Sequence, residues 1–220
     1  MIHGTEKKLA LVTGASRGLG AAMAEHLAAS GWHVVAVGRT LGALEELDDR
    51  IQAHRGSATL AALDISKDDA VRHLCRDIHD RWGHLDLWVH TAIHAPPMSP
   101  ASHIALKDWD ACVTINMRMT GMLIPMVAPL LAAAPDRGCA LFVDDPAAAG
   151  KFMGAYGASK AAQLALARSW QAESVKTGPR VLIEPAAPMP TATRARFYPG
   201  EDRDRLTPCM TEAKRLVGLI

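Results

Sequence analysis

The sequence predicts a doubly wound α/β domain, in which helices cover both faces of a parallel sheet of about six strands. Two observations support this fold class. Short apolar runs of strand length alternate with longer segments of helical periodicity, and no repeat or low-complexity linker interrupts them. Successive βα units of this kind form a parallel sheet. With 220 residues, the chain is long enough for one well-buried domain and short for two, so residues 1–220 are expected to form a single domain.

Six apolar runs are predicted to be the strands. Each is short, rich in aliphatic residues and bounded by glycine, proline or polar residues, as is typical of strands buried on both faces. In chain order they are 9–13, 33–38, 58–64, 85–90, 139–144 and 180–184. Gly14 directly follows the first run, and a proline-rich loop over 95–102 follows the fourth.

The segments between and after these strands are predicted to be helices, because their apolar residues recur every three or four positions. In chain order they are 19–30, 41–54, 68–82, 108–133, 154–176 and 211–219. Gly31 and Gly83 directly follow the first and third of them, where glycine commonly ends a helix. A Thr-Gly-Pro sequence follows the fifth, and proline cannot continue a helix.

Composition and charge narrow the function classes. The chain is 49% hydrophobic and 21% charged with a formal net charge of +1, so no strong field favours nucleic acid or an anionic membrane as partner. The four cysteines form no CxxC pair, and no signal-peptide-like segment is recognised, so a cytoplasmic protein is expected. His90 and His94 have helical spacing, but no third ligand has site-like spacing, so no metal site is expected.

The turn between the first strand and the first helix, TGASRGLG at 13–20, is the first candidate site. Its three glycines allow a tight turn and close approach of the backbone to a ligand. The first amides of the following helix then face an anion, which predicts phosphate binding. The predicted contacts are the residues of this turn: Gly14, Ser16, Arg17, Gly18, Leu19 and Gly20.

Tyr156 and Lys160 form the second candidate site, because residues four apart share one face of a helix. A phenol with a pKa of about 10 is a poor base at neutral pH, and a nearby lysine cation favours the phenolate. This pairing indicates acid/base catalysis. The alternative is a half-buried core tyrosine beside a solvated lysine.

The glycine turn TGxxxGxG and the YxxxK sequence at 156–160 together resemble the short-chain dehydrogenase/reductase family, in the right order over nearly the whole chain. The resemblance implies a Rossmann fold, a nicotinamide cofactor and the reduction of a carbonyl, or oxidation of an alcohol, in a small substrate. It implies that Tyr156 is the general acid/base and that Lys160 holds the nicotinamide ribose and lowers the tyrosine pKa. Both residues then contact the cofactor, and Asn116 completes a proton relay.

The cofactor is expected to be NADP(H). Dinucleotide folds that select NAD carry an acid at the end of the second strand, where this chain has Gly38 followed by Arg39. Arg17 and Arg39 suit a 2′-phosphate, because guanidinium groups match phosphate geometry. Asp64 matches an adenine-contacting aspartate of the family and equally suits a cap near Ser66. The further cofactor contacts that the resemblance implies are Asp64, Ile65, Ala92, Pro185 and Thr191.

Three segments depart from the family pattern. The Asn-Asn-Ala-Gly sequence after the fourth strand is replaced by residues 90–93, HTAI, and Ala186 replaces a glycine after the sixth. Asp144 and Asp145 occupy the place of the catalytic serine, which makes Asp145 the fourth catalytic candidate. An ionised carboxylate accepts hydrogen bonds only, whereas a protonated one can donate to the substrate oxygen. In the alternative, Asp145 turns outward with Pro146 and caps a loop.

Two functions therefore stay open: an NADPH-dependent reductase, and a nucleotide-binding sensor or subunit without catalysis. In either case a homodimer or homotetramer is expected. The helices over 108–133 and 154–176 carry more apolar and small residues than one sheet face can cover, and the family associates through these helices.

Overall fold

Six parallel strands form one sheet in the computed structural model, which describes residues 7–220. The strands are β1 Leu9–Thr13, β2 His33–Gly38, β3 Ser57–Ala62, β4 Leu87–His90, β5 Cys139–Asp144 and β6 Arg180–Pro185. Their order in the sheet is β3-β2-β1-β4-β5-β6. The chain therefore moves outward in one direction from β1 to β3 and in the other from β4 to β6. This confirms the predicted doubly wound sheet and puts its switch point between β1 and β4.

Eight helices cover the sheet within the described part of the chain. They are α1 Gly18–Ala29, α2 Leu41–Ala53, α3 Asp68–Trp82, α4 Leu106–Cys112, α5 Met119–Ala132, α6 Gly154–Glu173, α7 Ala192–Phe197 and α8 Cys209–Val217. A π-helical segment, Val113–Arg118, joins α4 to α5, so the helix predicted over 108–133 is continuous but locally widened. The short α7 lies in a proline-rich segment where no helix was predicted.

Neighbouring strand residues bury their side chains on opposite faces of the sheet. Val12 packs in the core with Met23 and Leu47 of α1 and α2. Leu11 packs on the other face with Leu123 of α5 and Trp170 of α6. Because both faces are covered, the strands are continuous apolar runs rather than alternating ones.

The segment Leu106–Ala132 is long and apolar enough, by length and composition, to cross a membrane. In this fold it belongs to the helical layer on one sheet face, where Met119, Leu123 and Val127 are fully buried. Its apolar side chains thus supply part of the core.

Candidate active site

A cleft of about 480 Å³ opens at the carboxyl ends of the strands, beside the switch point between β1 and β4. Nearly all of the predicted site residues line it. They are Gly14, Ser16, Arg17, Gly18, Leu19, Gly20, Arg39, Asp64, Ile65, Ala92, Asp145, Tyr156, Lys160 and Thr191. Residues scattered over most of the chain meet here because parallel strands end at the same edge of a sheet.

The glycine turn leads from β1 into α1 at the floor of this cleft. Gly14 and Gly18 have φ angles of 90° and 58°, in the left-handed region that favours glycine. A Cβ atom on Gly14 would lie 2.6 Å from the backbone nitrogen of Ala92. The turn therefore packs directly on the backbone that follows β4, although the sequence there departs from the family pattern.

The N-terminus of α1 has the properties of an anion site. Among the described residues, no side chain accepts a hydrogen bond from its first amides. These amides and the positive end of the helix dipole therefore suit a phosphate. The exposed amides fit a dinucleotide diphosphate, and Gly20 lets α1 begin directly against the turn, because a Cβ atom there would overlap the Gly14 carbonyl oxygen.

Arg17 and Arg39 are exposed at the mouth of the cleft. Within residues 7–220, neither guanidinium forms an ion pair or a side-chain hydrogen bond, so both are available to a ligand phosphate. A Cβ atom on Gly38 would lie 3.0 Å from Cβ of Ser16. A side chain at this end of β2 would therefore require Ser16 to shift by a few tenths of an ångström.

Tyr156 is buried, and its hydroxyl donates a hydrogen bond to Asp145 Oδ2 over 3.0 Å. Asp145 Oδ1 accepts from the Ala147 amide over 3.0 Å. The carboxylate therefore faces the phenol and does not turn outward, but it also caps the local loop, as the alternative expected. Burial, followed by the charge of Asp145, raises the pKa of Tyr156 well above its usual value near 10. This direction is opposite to the lowering that the family resemblance implied.

Lys160 is buried on the same face of α6, and its Nζ donates to Gln163 Oε1 over 2.6 Å. Burial lowers the pKa of Lys160 to about 8, against the smaller raising effects of Asp144 and Asp145. The ammonium is thus held by a neutral amide rather than by a carboxylate.

Asn116 is fully buried and lies behind the cleft, not along its wall. Its side-chain Oδ1 accepts from the His94 amide at 2.7 Å, and Nδ2 donates to the His94 carbonyl and to Ser159 Oγ, each at 2.9 Å. Its backbone carbonyl accepts from Gln163 Nε2 over 3.1 Å. Gln163 therefore links Asn116 to Lys160. Gln163 was not among the residues predicted from the sequence, although a glutamine three positions after Lys160 on the buried face was a usable signal.

His90 does not form a metal pair with His94. Its Nδ1 and Nε2 lie 2.8 Å from Thr13 Oγ1 and 3.2 Å from Thr120 Oγ1, so both ring nitrogens have partners. Burial, followed by the charge of Lys160, lowers the pKa of His90 to about 3 and keeps it neutral. His94 lines the cleft, and its buried Nε2 has no hydrogen-bond partner within residues 7–220.

Of the remaining predicted contacts, Asp64 and Thr191 line the cleft and Pro185 does not. Asp64 lines the cleft and also accepts the Ser66 amide at 2.9 Å, so its carboxylate caps a local turn. Thr191 lines the cleft and caps α7 by accepting the Arg194 amide at 3.1 Å. Pro185 was expected to contact the cofactor, but it is the exposed last residue of β6. The cleft is lined instead by the residues that follow Pro185, beginning with Ala186, because β6 remains paired with β5 up to Pro185.

The comparisons with known proteins agree with this geometry. The family model described as short chain dehydrogenase matches residues 8–203. A Pseudomonas syringae protein assigned as a short chain dehydrogenase superposes with a TM-score of 0.89 at 28% identity, covering 96% of this chain and 87% of that one. A Shigella flexneri protein of the same assignment, complexed with NADP, gives a TM-score of 0.85 at 27% identity, covering 92% and 86%.

A Bacillus subtilis protein assigned as 2,4-dienoyl-CoA reductase is 33% identical over 115 residues, which are 52% of this chain and 45% of that protein. That match spans less than half of the relative, so it carries no conclusion on substrate. The family model, in contrast, covers most of the chain, including the glycine turn, Tyr156 and Lys160. The chain belongs to the short-chain dehydrogenase/reductase family of oxidoreductases.

Proposed function

We propose that this protein is an NADP(H)-dependent oxidoreductase that interconverts a carbonyl group and an alcohol in a small substrate, with Tyr156 as general acid/base. One observation carries the proposal. Tyr156 and Lys160 are buried side by side on α6 and open into the cleft that also holds the glycine turn, Arg17 and Arg39, two arginines without an ion pair among residues 7–220.

The residues present fit a nicotinamide dinucleotide. The amides at the start of α1 suit its diphosphate, and Arg17 and Arg39 suit a 2′-phosphate on the adenosine ribose. Lys160 and Thr191 lie along the wall that would hold the nicotinamide end. When bound, the nicotinamide supplies or accepts a hydride.

A residue of the chain itself donates and accepts the proton of the reaction. In reduction, the Tyr156 hydroxyl donates its proton to the oxygen of the substrate, and in oxidation the phenolate accepts it. The Phe197 ring of α7 packs 5.1 Å from the Tyr156 ring, centroid to centroid, and helps to exclude water from the phenol. Gln163 holds the Lys160 ammonium on this side of α6.

The second candidate is a nucleotide-binding protein with weak or no catalysis. The hydrogen bond from Tyr156 to Asp145 favours it, because the hydroxyl proton is directed at a carboxylate rather than at a substrate. The raised pKa of Tyr156 also opposes its action as a base near neutral pH.

Two measurements separate the candidates. Fluorescence titration with NADPH and NADH tests the cofactor, and NADPH oxidation with a panel of aldehydes and ketones tests turnover. An oxidoreductase consumes NADPH with at least one carbonyl compound. Its Tyr156→Phe variant binds NADPH with unchanged affinity but does not turn over. Tight NADPH binding without turnover on any compound would support the binding protein instead, and no binding of either nucleotide would contradict both.

A further inference from the structure

Asp145 faces the cleft with neutral partners. Its two oxygens accept from the Tyr156 hydroxyl and the Ala147 amide. Within the described residues, no nitrogen of Lys, Arg or His lies within the 4.0 Å ion-pair distance of this carboxylate. The adjacent Asp144 differs, since its Oδ2 lies 3.9 Å from Arg168 Nη2. A carboxylate lining a ligand cleft without a cation is suited to a cation that arrives with the ligand.

The cations near Asp145 have other partners. Lys160 donates to Gln163 Oε1 over 2.6 Å. Arg194 is held by both carboxylate oxygens of Glu201, over 2.7 and 2.6 Å. Among the described residues, Asp145 is therefore an acceptor-only group of the cleft whose charge is not matched by a direct ion pair, as is Asp64.

The surroundings of this carboxylate are apolar and partly aromatic. Tyr156 packs in a small cluster with Met153, Phe197 and Ala148. Tyr198 lies against this cluster, and its ring already holds the Arg194 guanidinium at 4.0 Å. Aromatic rings attract cations, and apolar walls suit the alkyl part of an amine. A hydrated inorganic cation matches such walls less well than an alkylammonium group does.

From this arrangement we propose that the substrate carries a protonated amine close to its reacting carbonyl or carbinol carbon, and that Asp145 binds this ammonium group. The position of the reacting carbon rests on the proposed function, whereas the ammonium site rests on the contacts of Asp145 alone.

The ammonium group also changes what Tyr156 can do. Without it, the substrate oxygen must compete with Asp145 Oδ2 for the Tyr156 proton. An ammonium bound to Asp145 supplies its own donors, so the phenol proton is released toward the substrate oxygen. Its positive charge further offsets the effect by which Asp145 raises the Tyr156 pKa. The site thus discriminates against neutral carbonyl compounds of the same shape.

A binding experiment tests the ammonium site without turnover. The probes are cyclohexylamine, which is protonated at pH 7.5, and cyclohexanol, titrated calorimetrically into the full chain with and without NADP⁺. The amine should bind at least about 10-fold tighter than the alcohol, as a charge-assisted hydrogen bond implies. Asp145→Asn should abolish this preference, because asparagine keeps an acceptor for the Ala147 amide but has no charge.

Asp144→Asn is the matched control, since it removes one negative charge from the neighbouring residue. It should keep the preference for the amine. Equal loss in both variants would show that only the general field of the cleft attracts the amine, and equal affinity of wild type for both probes would overturn the proposal. Thermal unfolding of each variant confirms that it is folded.

Turnover separates this inference from the proposed function. With NADP⁺, wild type should oxidise 2-aminocyclohexanol faster than cyclohexanol, and Asp145→Ser should reverse the order. Preference for the amine in binding, without turnover of either alcohol or of any carbonyl compound of the panel, would contradict the proposed function and leave the ammonium site standing. Turnover of neutral alcohols with no preference for the amine would support the proposed function and contradict the ammonium site.

Discussion

Lys160→Met should remove a pH-dependent contribution that lowers the free energy of unfolding of the cofactor-free protein. Lys160 is 4% exposed, and burial lowers its pKa from 10.5 to about 8. At about 1.4 kcal/mol per pH unit, this difference corresponds to about 3 kcal/mol of penalty on the charged form. Methionine fills a similar volume and carries no charge. It leaves Gln163 Oε1 without its donor, which costs about 1–3 kcal/mol, so the two effects nearly balance at neutral pH.

The pH dependence is the decisive quantity, because the lost hydrogen bond is the same at every pH. The pKa of Lys160 is lower in the folded state than in the unfolded state, so the penalty is fully present below pH 8 and is relieved as the pH rises to 10.5. Wild type should therefore gain about 3 kcal/mol over this window relative to Lys160→Met.

Urea unfolding, followed by tryptophan fluorescence from pH 7.5 to 10.5, measures this difference. Groups that titrate in both proteins cancel in the comparison. Lys176→Met is the control, because its side chain is exposed, and its difference from wild type should stay flat. A constant difference between wild type and Lys160→Met would refute the argument that burial opposes the charge of Lys160.

Three further predictions concern the cofactor, the acid/base and the assembly. Arg39→Ala should weaken NADPH binding by about 1.5–3 kcal/mol and leave NADH binding unchanged. Equal affinity of the wild type for both nucleotides in a fluorescence titration would refute the NADP(H) assignment. Asp145→Ser should lower the Tyr156 pKa, so the pH profile of alcohol oxidation should shift to lower pH. An unchanged profile would show that Asp145 does not affect the pKa of this base. The protein should be a homodimer or homotetramer that associates through the helices over 108–133 and 154–176. Apolar side chains are exposed there, since Trp109, Leu166 and Val175 are 40%, 37% and 66% exposed. A monomer mass by light scattering would contradict this prediction.

Much of the fold could be predicted from the sequence, because its signals are local. Each buried strand is a continuous apolar run, and glycine marks the ends of α1 and α3. The glycine turn and the spacing of Tyr156 and Lys160 are also local patterns, fixed by a strand-to-helix turn and by one helix face. These patterns correctly placed both sites at the same edge of the sheet.

Boundaries and short elements were less accurate. β4 begins at Leu87 rather than at residue 85, and the Leu85 amide instead donates to the Leu130 carbonyl of α5. The six-residue α7 is too short for a periodic pattern, and its start depends on the cap that Thr191 provides.

The amino-acid sequence by itself determined the sheet, the glycine turn after β1 and the position of Tyr156 and Lys160 on one helix face, since each depends on neighbours a few residues apart. Only the tertiary structure decided how that pair is tuned. Gln163 meets Asn116 across 47 positions, and Asp145 meets Tyr156 because β5 ends opposite the start of α6. Such contacts depend on the packing of separate elements and on the direction of each side chain, and residue spacing carries no information about either.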